Sequence, residues 1–304
     1  MNEQTVLFDL LKEGVSPAHV VKSCEKRLED AGFEKIAYEK EWNLKAGGRY
    51  YVDHHDTTLF AFTIPEDEMK KEEKFCLTER ILDALDESIS LVFLANPNNP
   101  VGNLVEPELI FKIAEKCRQC DITLVLDECF MELTGKEQKY SFLSYLEEFP
   151  NVVVVRAFTK LYAIPGVRLG FLFCGGKEQT DRISLQLPEW NISVIAEAAG
   201  LAALEEKEYC DETVSYIRTE REYLAKELEN ADIQVFPGEA DFLLLKTKQP
   251  LYDKLLEQKI LIRDCSNYRG LQTGYYRVAV KQHEDNEKLI AAIKNGWQDS
   301  QDSE

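Results

Sequence analysis

Three polar residues, each following an apolar run, could carry out chemistry together. The runs are 91–95, 122–126 and 152–155, and the polar residues that follow them are Asn99, Asp127 and Lys160. Continuous apolar runs of this length are typical of buried strands in a parallel sheet. Ligands of such sheets bind beyond the carboxyl ends of the strands. We therefore expect an amide, a carboxylate and an amine to converge at one edge of the sheet.

This combination suits the binding of pyridoxal phosphate. The amine of Lys160 can form a Schiff base with the cofactor aldehyde, and Asp127 can keep the pyridine nitrogen protonated, which makes the ring an electron sink. Asn99 can donate a hydrogen bond to the ring hydroxylate. Arg168, eight residues after Lys160, can bind the phosphate through charge-assisted hydrogen bonds. Taken singly, a lysine or arginine is most often a surface residue, so the prediction depends on the set.

Three motifs that contain these residues resemble the fold-type I aminotransferase superfamily. They are NPNNPVG at 96–102, LVLDECF at 124–130 and FTKLYAIPGVRLG at 158–170. The resemblance covers residues from about 70 to 297, with the motifs in the order that the superfamily has them. It extends most closely to threonine-phosphate decarboxylases, which belong to cobalamin synthesis, and to the related histidinol-phosphate aminotransferases.

The resemblance implies a role for each site residue. Lys160 is then the catalytic lysine, and the residues that bind pyridoxal 5'-phosphate are Asn99, Asp127, Phe130, Thr159, Lys160 and Arg168. The residues that bind the substrate are Asn191, Arg263 and Arg277, of which Arg277 grips the α-carboxylate. The implied substrate is a small-molecule amino acid, and the class includes phosphorylated amino acids. A homodimer is the implied assembly, and no metal ion is expected.

Two positions depart from the superfamily pattern. Ala157 stands where many relatives have a serine or threonine that bonds the cofactor phosphate. Phe130 stands where many aminotransferases have a tyrosine, so this ring can pack beside the cofactor but cannot hydrogen-bond it. The superfamily also has a Gly-rich turn at a helix N-terminus, before the Asn99 strand, that holds the phosphate. Residues 1–65 occupy that place in the sequence and show no such turn.

Residues 1–65 instead carry the pattern of a helix and a hairpin. A short helix is predicted from Val6 and a second from Pro17 to about Ala31, with Gly32 as its stop. The runs 49–52 and 57–62 predict a β-hairpin. The segment resembles the N-terminal piece of the aspartyl aminopeptidases, a family of zinc enzymes. The metal-ligand motifs of that family do not occur in the sequence. We expect no zinc site at His54 and His55, because adjacent residues of a strand point to opposite faces.

These patterns predict an α/β protein with three parts. We expect the aminopeptidase-like segment over 1–65, an incomplete cofactor-binding large domain with a mostly parallel sheet over 66–210, and a small α+β domain over 211–304. The charged run 66–74 is predicted to be a solvated linker. Strands of the small domain are predicted at 233–236, 242–246, 260–262 and 276–280.

Composition restricts the partners and the compartment. Lys and Arg total 36 against 55 Asp and Glu, a net charge of −19, which disfavours binding to nucleic acid or to anionic membranes. No apolar run is long enough for a transmembrane helix and no signal sequence is recognised, so a cytoplasmic protein is expected. The pair Cys117 and Cys120 is expected to lie on a helix face rather than to bind zinc.

Three functions are therefore compatible with the sequence. The first is a pyridoxal phosphate-dependent enzyme most like threonine-phosphate decarboxylase, and the second is a histidinol-phosphate-type aminotransferase. The third is a catalytically inert fusion that lacks the turn for the cofactor phosphate.

Overall fold

The computed structural model describes residues 17–37, 45, 47–54, 58–63, 75–268 and 270–301. Contacts divide the chain into two compact units, Met1–Glu73 and Lys74–Glu304. The helix expected from Val6, the hairpin tip at 55–57 and the linker expected at 66–74 lie outside the described residues. The division of the second unit at residue 210 stays a prediction.

The first unit contains a helix and a small sheet. Helix α1 (Pro17–Asp30) is followed by Gly32 at a φ of 81°, a left-handed conformation that ends helices and suits glycine. Strand β1 (Glu34–Lys35) runs parallel to β2 (Arg49–His54), and β2 runs antiparallel to β3 (Thr58–Thr63). The antiparallel pairing confirms the predicted hairpin.

The second unit contains a sheet with the order β4–β5–β6–β7. Its strands are β4 (Leu91–Ala95), β5 (Thr123–Asp127), β6 (Val152–Ala157) and β7 (Gly170–Cys174). The first three are parallel, and β7 is antiparallel to β6. Ala95 lies opposite Asp127, which in turn lies opposite Val155. The three strands therefore end at one edge, as the sequence predicts.

Helix α2 (Pro107–Gln119) covers this sheet through one apolar face. Its buried residues recur at the helical spacing of three and four positions and are Ile110, Ile113, Ala114 and Cys117. They belong to one core cluster with residues of β5 and β6 such as Leu124 and Val154. Burial raises the pKa of the Cys117 thiol to about 11. Cys117 is thus a core residue, which agrees with the expectation that it lies on a helix face.

Strand β4 is more exposed than its sequence suggests. The side chains of Leu91 and Phe93 are 48% and 71% exposed, whereas Val92 and Leu94 pack against the core. In the described part of the chain β4 has a neighbouring strand on one side only. The prediction of a buried strand at 91–95 was therefore wrong for one of its two faces. An apolar run predicts that both faces of a strand are buried, but the sequence does not show whether other elements pack against both faces.

The second sheet has the order β10–β11–β9–β8 and is antiparallel throughout. Its strands are β8 (Gln234–Phe236), β9 (Phe242–Lys246), β10 (Arg263–Asp264) and β11 (Tyr275–Ala279). The predicted strand at 260–262 was wrong, because pairing with β11 begins only at Arg263. Ile260 and Ile262 are apolar because they pack into the core of this sheet.

The other helices surround these two sheets. They are α3 (Glu137–Tyr140), α4 (Phe158–Leu161), α5 (Lys177–Ser184), α6 (Val194–Glu205), α7 (Lys207–Asn230), α8 (Leu251–Glu257) and α9 (His283–Gln301). Shorter 3₁₀ helices span Glu79–Ala84, Glu132–Thr134, Phe142–Glu148 and Pro165–Val167. Over the residue ranges described above, no helix combines the length and apolarity that a membrane crossing needs.

Candidate active site

The loop after β4 positions Asn99. Its anchor is Asn96, whose buried side chain donates to the Tyr140 carbonyl at 3.3 Å and accepts from the Val105 N–H at 2.9 Å. Gly102 closes the turn by donating to the Asn98 carbonyl at 2.8 Å, and its φ of 83° favours glycine. The loop that carries Asn99 is thus held at both ends.

A buried ion pair lies where β5 and β6 end, and the sequence analysis missed it. The Nη2 atom of Arg156 is 2.9 Å from Glu128 Oε2, and its Nη1 atom is 2.6 Å from Glu137 Oε1. Glu128 also accepts from Ser141 Oγ at 2.7 Å and from the Phe142 N–H at 2.8 Å. Burial opposes the charge of Arg156, but the hydrogen bonds to Glu137 and Glu128 outweigh it and raise the pKa of the guanidinium.

This network had a signal in the sequence. Arg156 is a charged residue at the end of the apolar run 152–155, and Glu128 directly follows the predicted site residue Asp127. A buried charge requires an opposite charge nearby, so the two residues could have been paired on that ground. In the structure the pair fixes the ends of the two strands that lead to Asp127 and Lys160.

Helix α4 begins where β6 ends and carries Lys160. The Phe158 N–H donates to the Leu169 carbonyl at 3.2 Å, which ties the start of α4 to the segment before β7. The Nζ atom of Lys160 lies 4.8 Å from the centre of the Phe130 ring, within the range of a cation–π contact. The Phe130 ring packs edge-on against Phe242, with 5.3 Å between ring centres. The lysine that the sequence singles out thus lies against the aromatic residue expected beside the cofactor.

A cavity of about 940 Å³ brings five of the predicted site residues together. These five are Asn99, Phe130, Lys160, Arg263 and Arg277. The same cavity is lined by Asp241, Phe242, Tyr252, Leu261, Ile262, Asp264, Ser266, Asn267 and Ala279. Residues more than a hundred positions apart in the sequence thus form one wall, and the cavity has the size of a small-molecule site.

Two arginines face this cavity from neighbouring strands. Arg263 of β10 and Arg277 of β11 are directly opposite each other in an antiparallel pair, so both side chains emerge on the same face. Arg277 Nη1 lies 2.5 Å from Asn99 Oδ1, and Arg263 Nη2 lies 3.1 Å from Asn267 Oδ1. Like charges directly opposite each other are destabilising unless an anion joins them. The pair therefore suits a ligand with negative charge.

Asp127 lies in the neighbourhood of Lys160 although it does not line the cavity. Its Oδ1 atom accepts a hydrogen bond from the Cys129 N–H at 3.0 Å. Burial raises the pKa of the Cys129 thiol to about 12, with a further contribution from Asp127, while the charge of Lys160 opposes it. Both charged groups act electrostatically on this one thiol, which lies two residues after Asp127.

The other predicted residues lie outside the cavity lining. Arg168 is exposed and donates from Nη1 to the Pro165 carbonyl at 3.1 Å. Thr159 is half-buried on α4, and Asn191 is exposed before α6.

Asp241 is one of the cavity residues that the sequence did not single out. Asp241 directly precedes β9, and burial raises the pKa of its carboxyl group, whereas the charges of Lys160, Arg277 and Arg221 oppose that rise. Only the proximity of these residues in space marks Asp241, because an isolated Asp before an apolar strand carries no motif. Within the ranges that the structure covers, no three His, Cys, Asp or Glu side chains are grouped closely enough to bind a metal ion.

Comparison with known proteins relates this geometry to enzymes. Threonine-phosphate decarboxylase from Salmonella typhimurium is 38% identical over 223 residues, 72% of this chain and 61% of the relative. The histidinol-phosphate aminotransferase structure from Clostridium acetobutylicum matches with a TM-score of 0.70 and 31% identity, over 74% of this chain and 69% of the other. The L-threonine-O-3-phosphate decarboxylase structure from Porphyromonas gingivalis matches with a TM-score of 0.60 and 26% identity, over 69% of this chain and 65% of the other.

Two family profiles match different parts of the chain. Residues 10–86 match the aminopeptidase I zinc metalloprotease family (M18), in line with the resemblance of the N-terminal segment. Residues 61–293 match the profile of aminotransferase class I and II, which agrees with the superfamily that the motifs predict. The chain spans about three fifths of the length of the Salmonella relative. It belongs to the aminotransferase class I and II family.

Proposed function

We propose that this chain is a pyridoxal 5'-phosphate-dependent enzyme that acts at Cα of an amino acid with a phosphate or similar anionic tail, most like threonine-phosphate decarboxylase. The observation that carries the proposal is the cavity in which Lys160 lies together with the cross-strand arginines Arg263 and Arg277. An amine that can bind an aldehyde and two cations that can bind anions are the groups that this chemistry needs. We further propose a homodimer in the cytoplasm.

The residues present fit the cofactor that the family uses. Lys160 is exposed at the cavity and would hold the aldehyde carbon, and Asp127 would pair with the pyridine nitrogen. Phe130 would pack beside the ring. At the phosphate end Thr159 and Arg168 are the candidates, since the Phe158–Leu169 hydrogen bond brings their backbone segments together. When bound, pyridoxal phosphate supplies an electron sink for the carbanion at Cα.

The side chains of this chain then have separate tasks. Arg277 binds the α-carboxylate of the substrate as a bidentate partner, with its guanidinium held by Asn99. Arg263, directly opposite, receives the anionic tail. The Nζ atom of Lys160 takes up and returns a proton at Cα, and the rings of Phe130 and Phe242 form the apolar part of the cavity wall beside it.

A histidinol-phosphate-type aminotransferase is the second candidate. Sequence identity supports the decarboxylase, since the Salmonella relative is 38% identical and a histidinol-phosphate aminotransferase from Caldanaerobacter subterraneus is 34% identical. Structural similarity supports the aminotransferase, with TM-scores of 0.70 and 0.60 for the two kinds of structure. Both names include a phosphorylated molecule, so the anionic tail is common to the two candidates.

The test is the covalent capture of the cofactor. The purified chain is mixed with pyridoxal phosphate, the visible spectrum is recorded, and borohydride reduction followed by peptide mass spectrometry locates the bound group. We expect a spectrum that differs from the free cofactor and a label on Lys160, both of which disappear in Lys160→Ala. The matched control Lys177→Ala removes an exposed lysine of α5 and should behave as the unchanged chain.

Either of two results would contradict the proposal. One is a spectrum equal to that of the free cofactor, which would favour the inert fusion. The other is labelling spread over several lysines and unaffected by Lys160→Ala. To choose between the two candidates, the products are identified after incubation with O-phosphothreonine, which a decarboxylase converts to an amine and CO2. A second incubation uses histidinol phosphate and a 2-oxo acid, which an aminotransferase converts to a carbonyl compound and an amino acid.

A further inference from the structure

Asp241 directly precedes β9, one of the two central strands of the second sheet. Its backbone carbonyl accepts a hydrogen bond from the Val280 N–H at 2.8 Å, which holds it between the start of β9 and the end of β11. The next residue, Phe242, contacts both Phe130 and the guanidinium of Arg277, with 5.0 Å from the latter to the ring centre. Asp241 therefore has a defined place in the wall of the active-site cavity.

The carboxyl group of Asp241 is incompletely paired. Its Oδ1 atom is buried and accepts no hydrogen bond. Two cations of the same cavity are close enough to act on it electrostatically, Lys160 and Arg277, but the first lies over Phe130 and the second donates to Asn99. A buried acceptor without a donor is unfavourable, and such groups in native structures call for a functional explanation.

The charged groups that face Asp241 come from three sides. Lys160 lies on α4, Arg277 on β11 and Arg221 on α7, and the charge of each favours the ionised carboxylate. Burial acts in the opposite direction and outweighs them, so the pKa of Asp241 is raised. Arg221 is held by the carbonyls of Glu239 and Ala240 at 2.8 and 3.2 Å. Of the three cations that act on Asp241, Lys160 and Arg277 line the cavity and are left to respond to a ligand.

We propose that Asp241 is a specificity-determining residue of this cavity, whose carboxylate offsets the charge of Lys160 and Arg277 and so weakens the binding of simple anions. This inference rests on the proposed function, since it concerns the same site. An amino acid carries an ammonium group beside its carboxylate. Asp241 attracts the ammonium group, and Arg277 attracts the carboxylate. A ligand that carries only negative charge is repelled by Asp241. The site thereby prefers zwitterions to dicarboxylates and inorganic anions.

The test uses sulfate as the probe on the cofactor-free full-length chain. Sulfate stays a dianion over the whole accessible pH range, so a change in its affinity reports on the protein. Sulfate binding is measured by calorimetry for the unchanged chain, for Asp241→Asn and for Asp241→Glu at several pH values. Asp253→Asn, an exposed Asp of α8, is the control for net charge.

We expect Asp241→Asn to bind sulfate about fivefold to tenfold more tightly at neutral pH, because one repelling charge near the anion is gone. The unchanged chain should bind sulfate less tightly as the pH rises through the titration of Asp241. That dependence should be weaker in Asp241→Asn and kept in Asp241→Glu. Asp253→Asn should match the unchanged chain.

Equal sulfate affinities for the unchanged chain and Asp241→Asn at every pH would overturn the proposal, as would the absence of sulfate binding in both. If Asp241→Asn does not fold, the pH dependence of sulfate binding is still measured with Asp241→Glu. Failure here is distinct from failure of the proposed function, because no cofactor takes part. A chain could capture pyridoxal phosphate on Lys160 and still bind sulfate independently of Asp241.

Discussion

At the scale of single residues, Cys129 shows how burial decides reactivity. Its thiol is close enough to Asp127 and Lys160 for both charges to act on it, yet burial and the neighbouring carboxylate raise its pKa to about 12. The thiolate is the reactive form of cysteine. A thiol whose pKa is raised this far stays almost entirely protonated at pH 8. Cys129 is therefore a poor competitor for the nucleophilic role proposed for Lys160.

A labelling experiment checks this prediction. At pH 8 we expect iodoacetamide to modify the exposed Cys76 first and the core residues Cys117 and Cys265 slowly, with Cys129 at least about tenfold slower than Cys76. Peptide mass spectrometry at timed intervals gives the order. In urea all sites should react at similar rates. Early modification of Cys129 in the folded chain would contradict the assignment.

At the scale of elements, the ion pair of Arg156 with Glu128 joins β5 and β6 where the site residues begin. Removal of one partner from a buried pair leaves an uncompensated charge in the interior, which destabilises proteins by about 3–5 kcal/mol. We expect Arg156→Met to lower the free energy of unfolding by that amount, because Glu128 would stay buried at the strand end.

Urea denaturation measures the difference against a matched control. Arg118→Met removes the same side-chain type from an exposed pair with Glu115 at 2.7 Å. Exposed pairs contribute at most about 1 kcal/mol, so this variant should stay close to the unchanged chain. If the two arginine variants lost the same free energy, the Arg156 network would have no special part in fixing the strands.

At the scale of the whole molecule, the chain combines two units with different relatives. The core clusters of the described second unit draw all their members from residues 75–293. We expect a fragment of residues 74–304 to fold by itself, because these clusters need no residue from the first unit. Its circular dichroism and its cooperative thermal transition are the measurements. A fragment without a cooperative transition would show that the first unit is required for folding.

Local patterns in the sequence predicted much of the fold and part of the site. Three apolar runs predicted three parallel strands with their ends at one edge, and the hairpin at 49–63 followed from its alternating runs and turn residues. The lysine, the amide and Phe130 came from short motifs, and Arg263 and Arg277 from the family resemblance. The exposed face of β4 and the absence of a strand at 260–262 were not predicted, because apolarity does not tell which neighbour covers a side chain.

The sequence by itself indicated the family and most of the strands and singled out Lys160, since these depend on residue types close together in the chain. Only the tertiary structure decided that Arg263 lies opposite Arg277, that Arg156 pairs with Glu128, and that Asp241 faces Lys160 and Arg277. Such contacts join residues that are far apart in the sequence. Their energies depend on distance and burial, which the order of residues does not specify.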